Sequence, residues 1–254
     1  MEEKLQYHIK CKRGDVARYV LLPGDPGRAH KIARLFENAR KVAEFREYVT
    51  YTGTVDGVPI SVTSTGIGGP SAAIAVEELV KSGADTFIRV GTCGGMQPSV
   101  KPGELVIAQA AIRDEGTGLH YLPVEFPAVA SIEVVNALVA AAKRVGVPHH
   151  VGVVQSKDSF YGQHEPERMP VAERLKYRWD AWIKGGALAS EMECASVFIV
   201  SATLGARAGG ACLVVGNQAL PPLSEEDRVR ITPDALIRVG IEAVKELAMR
   251  DGDA

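Results

Sequence analysis

The sequence predicts an α/β fold in one domain, residues 1–254, with helices packed on a mixed, largely parallel central sheet. Three observations carry this expectation. Short apolar, β-rich runs alternate with segments of helical apolar spacing along the whole chain. Of the 254 residues, 46% are apolar, enough to bury one large core. No internal repeat, low-complexity tract or linker breaks the alternation.

The elements follow in order. Residues 19–22 form a first apolar strand, broken by Pro23-Gly24-Asp25-Pro26-Gly27. A helix comes next, with Ala29, Ile32, Ala33, Leu35 and Phe36 on one face. Asp56-Gly57 makes a tight turn between strands at 49–55 and 58–65. The loop Gly66-Ile67-Gly68-Gly69-Pro70 leads into a helix from Ser71 that stops at Gly83. Strands are expected at 86–90 and 104–112, then a helix at 131–145 with Ser131 as its cap and Gly146 as its stop. Residues 150–155 read as a strand, 191–204 as a helix and 211–215 as a strand. Thr232-Pro233-Asp234 opens the last helix with a cap, a proline at the first helical position and an acid in the first turn. Residues 156–186, with Trp179 and Trp182, are the least regular stretch and read as a lid or a subunit contact.

Composition narrows the partners. Charged residues make up 24% and the net charge is -2, so no bulk charge recruits nucleic acid or a lipid surface. The four cysteines, Cys11, Cys93, Cys194 and Cys212, form no C-x-x-C pair and no cluster with zinc-ligand spacing. An even count allows disulfides, but a chain of this size does not need them, and reduced thiols in the cytoplasm are the expectation. The N-terminus lacks an apolar signal region. The longest apolar stretch, 194–206, is too short to span a bilayer, which takes roughly 20 residues.

Several residues are candidates for chemistry. Arg28 lies in the first turn after the Pro-Gly-Asp-Pro-Gly break, where free N–H groups favour an anion; it could equally be a solvated helix arginine. Arg89 interrupts an apolar strand just before Gly91-Thr92-Cys93-Gly94-Gly95. Such a charge either faces the cleft at the strand's carboxyl end, together with Thr92, or pairs with an internal carboxylate. Glu191-Met192-Glu193 opens a helix and suits its dipole, or supplies a carboxylate for vicinal hydroxyls and a thioether for a sugar face. Phe160-Tyr161-Gly162-Gln163 offers an aromatic and an amide for a base, or anchors a loop. Gly66-x-Gly68-x-x-Ser71 lacks the third glycine and the distal acid of a dinucleotide fingerprint, and no Gly-Lys-Ser/Thr marks a P-loop. His164-Glu165 lacks the second histidine of H-E-x-x-H, and no histidine is assigned to a metal.

In combination these strings resemble the hexameric nucleoside phosphorylases. The resemblance rests on Pro23-Gly24-Asp25-Pro26-x-Arg28, Phe45-Arg46-Glu47, the run from Ser64 to Ser71, Glu77-Glu78-Leu79, Arg89-Val90-Gly91-Thr92, Phe160-Tyr161-x-Gln163 with one residue dropped, and Glu191-Met192-Glu193. It covers residues 8–217. It implies a distorted, barrel-like sheet and phosphorolysis of a nucleoside, with inorganic phosphate as co-substrate and no other cofactor. It places Gly24, Arg28, Arg46, Arg89 and Thr92 at phosphate. His8, Met192 and Glu193, with Glu191 beside them, fall at ribose; Phe160 and Gln163 fall at the base. Arg28, Arg89 and Glu193 are the catalytic set. His8 and Arg46 would come from a neighbouring subunit of a dimer-built hexamer. Glu47, Ile67 and Ser71 match positions that in some relatives hold a monovalent cation, K+ among the candidates, between subunits.

Two departures bear on the base. Glu165 and Gln218 stand where uridine-cleaving members carry arginines, and Arg168 is the expected substitute cation. Asn217 stands where purine-cleaving members carry an acid, so uridine is expected over inosine and adenosine. The alternatives are a purine nucleoside or methylthioadenosine phosphorylase on the same fold, a water-using nucleosidase, and a non-catalytic binding relative.

Overall fold

A computed structural model describes residues 4–253. In chain order its elements are β1 (Tyr19–Leu22), α1 (Pro26–Ala33), β2 (Glu37–Phe45), β3 (Tyr48–Val55), β4 (Val58–Thr63), α2 (Gly69–Ser82), β5 (Thr86–Gly95), β6 (Leu105–Asp114), β7 (Ala128–Val129), α3 (Ile132–Val145), β8 (His149–Lys157), α4 (Phe160–His164), α5 (Ala172–Lys184), β9 (Ala189–Glu191), α6 (Cys194–Thr203), β10 (Arg207–Asn217), α7 (Glu225–Arg230) and α8 (Asp234–Asp251). All ten strands join one mixed sheet. Five of them close on themselves in the order β5-β10-β6-β8-β9 and back to β5, a small distorted barrel. From β5 the sheet runs outward through β1, β4, β3 and β2. Parallel pairing holds the centre (β4-β1-β5-β10 and β6-β8-β9), as the alternating sequence predicts.

The central strands are apolar on both faces because helices cover both. Along β1, Tyr19 and Leu21 face α1, α3 and α8, while Val20 and Leu22 face α2 and α6. The same alternation runs through β5: Ile88 and Val90 join the first layer and Phe87 the second. Arg89 therefore points to the side of α6. The turn at Asp56-Gly57 is as expected, with φ of 48° and 81°, the left-handed pair that a two-residue hairpin needs.

Several boundaries differ from the sequence expectation. The first helix ends at Ala33, and Leu35 is exposed instead of sharing its apolar face. β2 was not anticipated: its ENARKVAEF sequence has no apolar alternation, because it is the outer strand of a hairpin and is exposed over most of its length. Gly91-Thr92-Cys93-Gly94-Gly95 continues β5 instead of forming a loop. Ser131 precedes α3, but its hydroxyl accepts the Ala208 N–H of β10 at 3.0 Å and does not cap the helix. Residues 156–186 are mostly ordered into α4 and α5. Glu191 ends a short strand, and the helix starts only at Cys194. Pro233 caps α8 instead of occupying its first turn.

Candidate functional site

A cleft of about 1340 Å3 opens at the carboxyl ends of β1, β5 and β10. That is where parallel strands leave room for a ligand. Its floor is Arg89, 4% exposed. The guanidinium lies forward along its own strand over Gly91, where a Cβ would stand only 2.8 Å from Nη2. Glycine at 91 thus makes the space that the charge occupies. Arg89 Nε donates to Glu191 at 3.2 Å, and Nη2 donates to Glu193. The sequence left open whether Arg89 is an ion-pair partner or a cleft residue; the geometry gives both. Burial works against its charge, but Glu193 and Glu191 outweigh burial and hold it protonated.

The two carboxylates differ. Glu191 is fully enclosed and takes the N–H groups of Glu193 and Cys194 at 2.9 Å, the Ser156 hydroxyl and Arg89. Burial pushes its carboxyl up, against the pull of Arg89 and Ser156. Its acceptor capacity is spent on the start of α6 and on Arg89, so it positions rather than contacts. Glu193 accepts the Gly68 N–H at 2.7 Å and Arg89, and it lines the cleft beside the half-buried Met192.

Arg28 enters from α1. Asp25 starts this helix by accepting the Gly27 N–H at 2.8 Å, with Pro26 in the first turn. Arg28 Nη1 donates to the Val90 carbonyl at 3.2 Å, one residue past Arg89. Burial and then the neighbouring Arg89 charge press the Arg28 guanidinium below its ordinary range. Arg28 Nε and Arg89 Nη1 are both buried without a protein partner. Two cations side by side with orphaned donors are costly unless an anion lies between them. Gly24 and Thr92 line the same end of the cleft.

At the other end stand Phe160, Gln163 and His164 of α4, Lys157 at the end of β8, residues 215–217 at the end of β10, and residues 218 and 220–223 after it. Ser190 Oγ, with one proton to give, lies 2.5 Å from Gln155 Oε1 and 2.8 Å from Gln163 Oε1, so Gln163 shares Ser190 with a structural amide. Asn217 is committed to structure: its Nδ2 donates to the carbonyls of Gln97 and Val100 at 2.8 and 2.7 Å, and its Oδ1 accepts the Ala219 N–H at 2.8 Å. It has no proton to lend a leaving base. Gln218 Nε2 bonds His164 Nδ1 at 3.0 Å.

Other expected site residues lie elsewhere. Arg168 does not line the cleft; its side chain is 57% exposed, paired with Glu165 and 5.3 Å over the Tyr161 ring. Arg46 sits exposed at the β2–β3 hairpin tip with φ of 54°. His8 is anchored through Nδ1 to Glu78 at 2.8 Å, leaving Nε2 as its outer nitrogen. Burial raises the Glu78 carboxyl, but the Ile9 N–H and His8 outweigh it and bring it below its ordinary value. Glu47 and Ser71 flank Gly66, and the Ser71 hydroxyl donates to the Thr65 carbonyl. Lys157 escaped sequence reading because a single lysine at a strand end looks like a solvated terminus. The one available signal was its place three residues before Phe160.

The comparisons agree with this geometry. A sequence profile of the phosphorylase superfamily matches residues 18–247. A uridine phosphorylase of Treponema pallidum is 54% identical over 97% of this chain and 95% of its own length. One of Thermococcus kodakarensis is 49% identical over 98% and 89%, and a guanosine phosphorylase of Halorubrum lacusprofundi is 39% identical over 95% and 99%. The chain belongs to the phosphorylase superfamily, in its nucleoside phosphorylase branch. It is an enzyme of the pentosyltransferase kind.

Proposed function

We propose that this chain cleaves uridine with inorganic phosphate to give uracil and ribose 1-phosphate. The observation that carries the reading is the meeting of Arg28 and Arg89, each with an unpartnered buried nitrogen, beside Glu193 in one cleft. Phosphate would lie between the two guanidinium groups, with Gly24 and Thr92 around it. Glu193 and Met192 would hold the ribose above it, and Phe160 and Gln163 the base. Phosphate is a poor nucleophile, and fixed placement under the anomeric carbon recovers much of the barrier. As the ribosyl–base bond breaks, the sugar becomes oxocarbenium-like and the phosphate dianion faces that charge. Uracil departs as an anion, which donors at its edge stabilise without an acid. The occupied amide of Asn217 argues against purine cleavage assisted by a proton at this position. The test is a panel of uridine, thymidine, inosine, adenosine and cytidine with and without phosphate, read by free base. Uridine cleavage that does not depend on phosphate would mean a hydrolase; inosine above uridine in kcat/KM would mean a purine enzyme.

The site is completed, in this reading, by a second copy. Arg46, exposed at its hairpin tip, and His8, partly buried and held by Glu78, would reach a neighbour's phosphate and ribose, in a dimer-built hexamer. Mixed Arg46→Ala and Glu193→Ala subunits, each inactive alone, should regain activity, because some sites then carry neither lesion. No recovery after verified subunit exchange would overturn shared sites. The oxygen donors around Gly66, from Glu47, Ile67 and Ser71, suit a hard monovalent cation at that contact. No described helix is long and apolar enough to cross a membrane. The four cysteines are buried and unbridged, which supports a reducing, cytoplasmic setting.

A further inference from the structure

Lys157 is a lysine in the wrong place for a structural one. It is 6% exposed, at the end of β8, and lines the base end of the cleft. Its Nζ donates to Ser190 Oγ at 2.7 Å and lies 6.0 Å from the centre of the Phe160 ring. No described carboxylate lies within ion-pairing distance of it. An ammonium carries three N–H donors, and here one neutral hydroxyl answers one of them. A buried charge so poorly matched is normally paired or neutralised. Burial does pull Lys157 down, while the more distant Glu191 and Glu193 hold it up.

The geometry points to Lys157 as the residue that binds a carbonyl oxygen of the leaving base and stabilises the negative charge developing there. This deepens the uridine reading and rests on it. Lys157 and Gln163 share Ser190: the hydroxyl that accepts from Nζ lies 2.8 Å from Gln163 Oε1. The ammonium and the Gln163 amide are therefore neighbours facing the same ligand edge, next to the Phe160 ring.

The step balances simply. A phosphate oxygen bonds to C1′ as the C1′–N1 bond breaks. The bonding pair leaves with the base and spreads over N1 and the carbonyl oxygens; Lys157 keeps its proton, and the uracil anion takes one from water after release. A positive donor placed at a carbonyl lowers the cost of that charge only as it develops, which is what accelerates a reaction. An ammonium only donates. Placed at O4 of uracil, it would meet the amino group that cytosine carries there donor to donor, so it would also select uridine over cytidine.

The experiment is full-length wild type, Lys157→Met and Lys157→Gln, each assayed on uridine, 5-fluorouridine and cytidine, with melting temperature and phosphate KM alongside. Lys157→Met should cut kcat on uridine about 10- to 150-fold, the size of one lost charge-assisted hydrogen bond. The loss should shrink on 5-fluorouridine, whose base leaves more readily. Phosphate KM should hold, and the preference for uridine over cytidine should narrow. Lys157→Gln, which keeps a neutral donor, should fall between and guards against a misfolded Met variant. Equal losses on uridine and 5-fluorouridine, or no loss, would overturn the role. A wild type that needs no phosphate to release uracil would sink the phosphorolysis reading, and the lysine's role with it.

Discussion

The two ends of the cleft are built by different means. The end proposed for phosphate rests on the closed barrel: Arg89 in a central strand, clamped by two buried carboxylates, with Arg28 reaching in from a capped helix. The base end rests on the five-residue helix α4 and the residues after β10, with Phe160 half exposed and His164 and Gln218 bonded across the mouth. A frame of buried ion pairs has few ways to move without leaving a charge unpaired. A short helix and a loop have many. In the proposed reading, the chemistry common to every nucleoside is thus fixed in the strands, and the choice of base is left to the parts that can vary. The relatives, which include uridine and guanosine phosphorylases, differ on that second count.

The largest test of the fixed end is Arg89→Ala. It strands Glu191 and Glu193 without their cation, a loss of roughly 3–5 kcal/mol in stability. Phosphorolysis should also fall by more than ~100-fold, with the phosphate dependence weakened. Melting curves and rates against phosphate concentration read the two losses separately. A stable variant with ordinary phosphate saturation would break the claim that structure and chemistry share this residue.

Gly91→Ala comes next. It changes no charge, yet its methyl group would stand 2.8–3.0 Å from the Arg89 guanidinium. Overpacking of this kind costs ~1–3 kcal/mol. Because Arg89 is held at both carboxylates, the strain should appear as a raised phosphate KM with an unaltered preference among bases. A changed base preference would mean that the two ends are coupled.

Glu193→Gln probes the boundary between them. Glu193 should accept from ribose hydroxyls, so the variant should lose about 10-fold more on uridine than on 2′-deoxyuridine. Equal losses would show that Glu193 serves only Arg89 and does not touch the 2′-hydroxyl.

The same division governs what could be read from sequence. Tyr19–Leu22, the Asp56-Gly57 turn and the helix ending at Gly83 carry their reasons locally, in apolar runs and turn residues. Arg89 was visible as a charge in an apolar run, and its motif named the cleft. The role of Glu191 was not, because helical acids at a start look alike until β9 is seen to end there and to turn one carboxylate inward. β2 escaped because an exposed edge hairpin needs no apolar face. Lys157 and Arg168 could not be told apart by type or by distance from Gln163: Lys157 ends β8 and lines the cleft, while Arg168 follows α4 and pairs with Glu165 on the surface.

Arg168→Ala is the smallest expected effect. The family resemblance nominates this arginine for the base, in place of the arginine missing at Glu165; the structure pairs it with Glu165 on the surface, beside the Tyr161 ring. An exposed pair three residues apart contributes ~0–1 kcal/mol, and most of that is screened by salt. Uridine cleavage should therefore stay within about two-fold of wild type, with unchanged phosphate KM and a slightly lower melting temperature. The contrast with Lys157→Met is the sharp form of the comparison, since each removes one positive charge, Lys157 from inside the cleft and Arg168 from the surface outside it. A loss above ten-fold on uridine in Arg168→Ala, with phosphate dependence intact, would show that α4 and the turn after it close around the base and carry Arg168 inward. The difference between the ends would then be one of motion as well as of construction, and Arg168 would join Lys157 at the leaving group.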